Sequence, residues 1–257
     1  DGAIAQPRIA RPLATDSAGA KGKLQKQKII ECKNLSFAYE KGKDVLCQLN
    51  FTLNKGEIFA GVGANGSGKS TFLKILCSLV KPTGGKIIID KNSKVFLMSQ
   101  NVRNIFTRQT VCDELIECGY KKGEKLSVLS EGLLNRHPYD LSGGEMQKLA
   151  LEKILLRKPD IILLDEPTKG LDNAFKKEFS SILKNLSNSG VSIVLVCHDL
   201  EFCAYTADRV GMLFEGTITE SSVPEEFFSG NNFYTTSVNR ICRGIINGAV
   251  KEEDIKW

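Results

Sequence analysis

The residues of this 257-residue chain best suited to chemistry lie in three short runs. The first, Gly63-Ala64-Asn65-Gly66-Ser67-Gly68-Lys69-Ser70-Thr71, follows the apolar stretch EIFAGV and leads straight into a helical pattern. It fits G-x-x-x-x-G-K-[ST] with strand, loop and helix in the required order. The glycines let the backbone curl until successive N–H groups point inward, and the helix N-terminus adds partial positive charge at the same spot. The loop therefore reads as a cradle for phosphate oxygens. Lys69 is placed to reach β- and γ-phosphates, and Ser70 offers a hydroxyl to Mg²⁺, an ion that prefers octahedral oxygen coordination shared with substrate phosphates.

The second run is Asp165-Glu166-Pro167, at the end of the continuous apolar stretch Ile161-Ile162-Leu163-Leu164. Such a stretch is expected of a central strand covered on both faces. Carboxylates leaving its C-terminal end emerge where open α/β sheets bind ligands. Asp165 is suited to holding Mg²⁺ through water or Ser70, and Glu166 to orienting or deprotonating an attacking water. The third run, Leu141-Ser142-Gly143-Gly144-Glu145, precedes the helical pattern MQKLALEKILLRK. Ser142 with Gly143-Gly144 presents a hydroxyl and bare backbone N–H groups at a helix start, a second anion-binding device in the same chain.

LSGGE, together with GANGSGKST, IILLDEP, Gly170-Leu171-Asp172 and His198 in VSIVLVCHD, resembles the ATP-binding cassette (ABC) ATPases, in that family's order, over residues 29 to about 220. The resemblance implies two domains facing head to tail, each ATP lying between the phosphate loop of one and the LSGGE helix of the other. This chain, with one copy of each motif, is then half of a catalytic unit. It further implies that Gln100, ending VFLMSQ, contacts Mg²⁺ or water, with the segment beyond it meeting a membrane partner. His198 senses the γ-phosphate, Asp172 couples the two sites of the dimer, and Tyr39 stacks on adenine. Cys197 stands before His198 where the family usually has Ser or Thr. His137, in Arg136-His137-Pro138, reads as an ordinary loop residue.

Finer features are similar to the ATPases of energy-coupling factor (ECF) transporters, which import vitamins and metal ions: the opening IIECKNLSFAYEKGKDVLCQLNFTLNKGE, QNVRNIFTRQTVCDEL, DEPTKGLD and the late FFSGNNFYTTSVNRI. The last two resemble the second ATPase domain of forms with two domains fused in one polypeptide. The partners implied are a second ABC ATPase domain and a transmembrane subunit, with the protein peripheral at the cytoplasmic face of the membrane. Two other readings are a non-transport ABC ATPase acting on ribosomes or DNA and a regulatory ATP-binding domain with little hydrolysis. Against the first, only about 40 residues separate Gln100 from Leu141, too few for a long coiled-coil arm. Against the second stand Lys69, Asp165, Glu166 and His198.

Positioning these runs requires a particular set of elements. β-rich segments at Ile29 to Cys32, Val45 to Leu53 and Glu57 to Val62 precede helical patterns at Lys69 to Leu79, Thr110 to Gly119 and from Gly144 onward. Strand and helix then alternate through Asp160 to Leu164, Ala174 to Asn188, Val191 to Cys197, Leu200 to Thr206 and Arg209 to Phe214. The order predicts parallel βαβ units behind an antiparallel front. Glycines are expected in turns at Gly84-Gly85, Gly190 and Gly216. The fold class expected is the α/β P-loop NTPase of the ABC ATPase type. It has a mixed central sheet, an antiparallel β subdomain and, over roughly residues 101–157, a helical subdomain carrying LSGGE. The ATPase domain is expected over residues 29–257.

Residues 1–28, rich in Ala, Gly, Pro and Lys, read as a flexible linker or appended tail. They hold a surplus of four positive charges out of the chain's net +5, leaving the rest near neutral, which argues against nucleic acid as a partner. With 42% hydrophobic residues the chain can fill a core without staples. No run reaches the roughly 18 apolar residues of a membrane-spanning helix. The eight cysteines form no Cys-x-x-Cys pair and have only two histidines as companions, so reduced thiols are expected.

Overall fold

The computed structural model describes residues 27–231, 234–242 and 248–255. The expected tail lies outside these except for Gln27 and Lys28, and Lys28 already opens the first strand. Strands β1 (Lys28–Glu40) and β2 (Lys43–Asn54) pair antiparallel through the turn between them. β3 (Ile58–Val62) leads through the phosphate loop to helix α1 (Lys69–Leu76), and β4 (Gly84–Ile89) returns to the far edge of β1. After β5 (Val95–Met98), residues 99–160 hold α2 (Val111–Ile116), α3 (Gly143–Leu155) and three single 3₁₀ turns. There follow β6 (Ile161–Asp165), α4 (Asn173–Asn188), β7 (Ser192–Val196), α5 (Leu200–Thr206), β8 (Arg209–Phe214), β9 (Thr217–Ser222), α6 (Pro224–Gly230) and α7 (Ser237–Cys242).

The strands form two sheets, a three-stranded antiparallel one in the order β2-β1-β4 and a six-stranded one in the order β5-β6-β7-β3-β8-β9. All neighbours in the larger sheet run parallel except β9, which pairs antiparallel with β8. This is the expected mixed α/β architecture. The apolar runs have a direct physical reading, because successive side chains on a strand point to opposite faces. Ile162, Leu164, Ile193 and Leu195 enter the core shared with α3, α4 and α5. Their alternates Ile161, Leu163, Val194 and Val196 enter a second core beneath β1, β2 and α1. A strand covered on both sides does not alternate with polar residues, so IILL and, after Ser192, IVLV are continuous.

Three local features differ from expectation. Gly84-Gly85 begins β4 instead of ending in a turn, and Gly85 has φ +80° where a Cβ would lie 2.2 Å from the Asn34 carbonyl oxygen. Helix α1 stops at Leu76, and Ser78 follows at φ +60°. β9, α6 and α7 carry no strong period in the sequence and are additions to the expected list. All eight cysteines are unpaired.

The loop region between β5 and β6 is tied down by two buried carboxylates. Glu114 accepts the Arg108 N–H at 2.6 Å and pairs with Lys153. Glu152, 1% exposed, accepts backbone N–H groups from Ser127, Val128 and Leu129, the last two at 2.7 and 3.2 Å. Glu152→Ala leaves three donors without their acceptor, that of Leu129 buried, and an unmet buried group costs about 1–3 kcal/mol. We expect a thermal midpoint lowered by several degrees, with the ellipticity of the remaining helices retained; an unchanged midpoint would show that these donors find other acceptors.

Candidate functional site

The site is assembled by strand register. Asp165 of β6 lies opposite Val196 of β7, and Val196 lies opposite Gly61 of β3, so three chain segments leave the sheet side by side at its C-terminal edge. β3 continues into the phosphate loop, β6 into Glu166, β7 into His198, and β5, next to β6, into Gln100. Together they open on one cleft of about 1050 Å³, whose walls include Lys69, Ser70, Gln100, Glu166 and His198.

Within the loop, Gly68 has φ +95°, and a Cβ there would come within 2.9 Å of the Val45 carbonyl oxygen; only glycine fits. Gly68 is also the N-cap of α1 and supplies no side-chain cap, which leaves the helix's first N–H groups for another acceptor. Lys69 Nζ donates to the Gly63 and Ala64 carbonyls at 2.8 and 2.9 Å and lies 3.3 Å from His198 Nε2. Burial pushes its pKa down, while the charges of Glu166 and Asp165 oppose the shift. Asn65 and Gly66 line the cleft and Ser67 sits between them and Gly68 with its hydroxyl buried and unpartnered. Thr71, also on the cleft, is 3.3 Å from the Tyr39 hydroxyl.

Ser70 Oγ donates to Asp165 Oδ1 at 3.1 Å. Burial raises the Asp165 pKa, against the lowering effects of that hydrogen bond and the Lys69 charge. Ser70, Asp165 and Gln100 offer oxygen donors alone, which suits a hard cation such as Mg²⁺. No group of three His, Cys, Asp or Glu residues able to hold a metal exists among the described residues. That composition fits an ion that completes its shell with phosphate oxygens and water rather than one held in an all-protein cage.

Glu166 is left-handed, with φ +49°, a conformation costing a non-glycine residue on the order of 1–2 kcal/mol. Its own N–H donates to the Val196 carbonyl at 2.9 Å, which locks the turn across to β7. Its carboxylate accepts the His198 N–H at 3.2 Å and sits 3.3 Å from His198 Nε2. The strained backbone thus brings the Glu166 carboxylate to the His198 imidazole, whose Nε2 also lies 3.3 Å from the Lys69 ammonium.

Other expected residues sit elsewhere. Tyr39 is 58% exposed and packs edge-on against Phe37, with its ring open to solvent beside the loop. Asp172 is the N-cap of α4 and accepts the Phe175 N–H at 2.8 Å. Ser142 caps α3 in a capping box in which the Ser142 side chain accepts from Glu145 N and the Glu145 carboxylate accepts from Ser142 N. Ser142, Gly143, Gly144 and Glu145 are not on the walls of the cleft; Gly144 instead lies against the Phe175 ring, where a Cβ would come within 2.6 Å. The chain therefore carries two separate N–H clusters. His137 caps the 3₁₀ turn Pro138–Asp140 by accepting the Tyr139 N–H, as befits a loop residue. Three participants escaped the sequence reading: Val45 beneath Gly68, Lys176 pairing with Asp199 at 2.6 Å, and Thr168, 3.1 Å from Cys197. Of these only Thr168, directly after Asp-Glu-Pro, had a local signal.

The profile of the ABC transporter family matches residues 46–169. The energy-coupling factor transporter ATP-binding protein EcfA2 of Streptococcus agalactiae is 34% identical over 77% of this chain and 82% of its own length. The chain belongs to the ABC transporter ATP-binding proteins. A putative member of that family from Bacillus thuringiensis is 41% identical over 90% of this chain but only 46% of its own length, so the chain spans about half of that relative. Among solved structures, the ATP-binding cassette MJ0796, a dimer in a post-hydrolysis state bound to ADP and Pi, is 26% identical with TM-score 0.65, covering 76% of this chain and 98% of its own.

The capping box yields a pH test. Hydrogen bonds from the Ser142 backbone and side chain hold the Glu145 carboxyl below its ordinary range. A depressed value stabilises the fold above the unfolded pKa and is lost as pH falls through the folded one. Glu145→Gln keeps an acceptor but has no charge to titrate, so its thermal midpoint should fall less steeply on acidification than that of the wild type. Parallel acid limbs would contradict the assignment.

Proposed function

We propose that this domain binds ATP with Mg²⁺ and hydrolyses it in a head-to-tail pair with a second ABC ATPase domain, driving micronutrient import by an ECF-type transporter. The observation that carries this reading is the meeting of Lys69, Glu166 and His198 in one cleft whose walls do not include the LSGGE residues. A nucleotide on the phosphate loop would reach an LSGGE cluster only from another domain. The dimeric MJ0796 cassette is in keeping with such a pairing, and the likeness to EcfA2 supports the ECF branch.

In this reading the loop N–H groups and Lys69 bind the triphosphate, and Ser70, Asp165 and Gln100 hold Mg²⁺. The ion neutralises charge on the β- and γ-phosphates when bound. Tyr39, beside Thr71, offers its ring to the adenine. Glu166 accepts the proton of the water whose oxygen forms the new bond to the γ-phosphorus, while the bond to the β-phosphate oxygen breaks and ADP departs. His198, between Glu166 and Lys69, orients the γ-phosphate. Asp172, at the turn beside Gly143, couples the two sites of the pair. No helix among the described residues is long and apolar enough to cross a membrane; the likeness to EcfA2 supports a domain that acts at the cytoplasmic face through a transmembrane subunit.

Two variants test this in the protein assembled with its partner domain and membrane subunits in liposomes. Lys69→Ala should abolish measurable ATP binding by calorimetry, and retained affinity would refute the loop's role. Glu166→Gln should keep ATP affinity, lower kcat by about 10²–10⁴-fold, as expected for loss of a general base, and accumulate a closed pair by cross-linking. Near-normal turnover would remove Glu166 as the base.

A further inference from the structure

Beneath the exposed His198 side chain lies a buried sulfur that none of the roles above employs. Cys197, 0% exposed, has its Sγ 3.1 Å from the Oγ1 of Thr168, itself 4% exposed. The same sulfur accepts the Asp199 N–H at 3.3 Å. Thr168 lies two residues beyond Glu166 on the turn leaving β6, whereas Cys197 and Asp199 flank His198 on the turn leaving β7. One atom therefore bridges the two turns that carry the carboxylate and the imidazole.

The surroundings leave this sulfur as the inner support of His198. On the outer side, Asp199 is fixed by Lys176 at 2.6 Å and by capping the Phe202 N–H of α5 at 3.0 Å. The imidazole, 45% exposed, makes its polar contacts among the described residues with Lys69 Nζ and the Glu166 carboxylate, each at 3.3 Å. An exposed ring with two long contacts does not hold its own place; the backbone on either side must do so.

We propose that Cys197 is a positioning residue for hydrolysis: its thiol, joined to Thr168 and to the Asp199 N–H, sets the turn that presents His198 to Glu166 and Lys69 without touching substrate. The proposal rests on the hydrolytic reading given above. A serine hydroxyl can both donate and accept to the same two partners, whereas alanine or valine leaves the part-buried Asp199 N–H and the buried Thr168 hydroxyl without this partner.

The test compares Cys197→Val, Cys197→Ala and Cys197→Ser in the assembled complex, with ATP affinity by calorimetry and turnover by phosphate release. Val and Ala should lower kcat about tenfold, the loss of about 1.4 kcal/mol of barrier stabilisation, with ATP affinity held within about twofold because the phosphate loop is untouched. Ser should recover kcat to within about threefold of the wild type. Thr168→Val, which breaks one of the contacts that Cys197→Val breaks, should lower kcat in the same sense, and the Thr168→Val, Cys197→Val pair should lose no more than Cys197→Val alone, since the second change removes no further contact. Wild-type kcat in Cys197→Val, additive losses in the pair, or recovery by Val but not Ser would each overturn the proposal while leaving hydrolysis intact. A wild-type complex with no turnover would overturn the hydrolytic reading, and this proposal with it.

Discussion

Everything at the nucleotide-binding edge depends on the parallel, in-register pairing of β6, β7 and β3. Because Asp165 lies opposite Val196 and Val196 opposite Gly61, their chains leave the sheet at one level on three neighbouring strands. A slip of one residue would turn Ile162 and Leu164 from one core to the other and send Asp165 to the wrong side. The two cores therefore do more than stabilise. By occupying both faces of these strands they specify the register on which the geometry of Lys69, Glu166 and His198 rests.

That geometry concentrates charge in a partly buried place. Lys69 and Asp165 are pulled by burial in opposite pKa senses, and each moderates the other. Lys69 satisfies its ammonium on two carbonyls of its own loop, so the buried cation is not left alone. Glu166 holds a left-handed backbone because its N–H and its carboxylate are both engaged across to β7. Strain of this kind persists only where surrounding structure over-determines it.

The second N–H cluster, at Ser142, obeys a different constraint. It is capped by its own hydroxyl and by Glu145, and packed through Gly144 against Phe175 of α4. Lys148 lies over the same ring and pairs with Glu178, so the start of α3 and the start of α4 are held as one piece. Asp172 caps α4 beside this contact. A chain built this way holds its two phosphate-seeking devices on separate surfaces, which is the physical basis for reading it as half of a pair.

Much of this was legible in the residues, for a reason that is itself local. The phosphate loop, the IILLDEP strand end and the LSGGE cap each draw their chemistry from residues within about a dozen positions of one another, where glycine freedom, strand burial and helix capping follow from short-range sterics and hydrogen bonding. The family resemblance followed from their order. What the linear order did not contain is long-range proximity. Gly84-Gly85 looks like a turn until Asn34 of β1 is placed beside it, and β9 is a strand only because β8 offers an edge. Cys197 looked like a mere departure before His198, since Thr168 lies 29 residues earlier and reaches it only when β6 and β7 are paired. Residue types and their spacing determined which groups could bind phosphate and move a proton; strand pairing alone decided which of them meet, because it brings distant segments to the same edge.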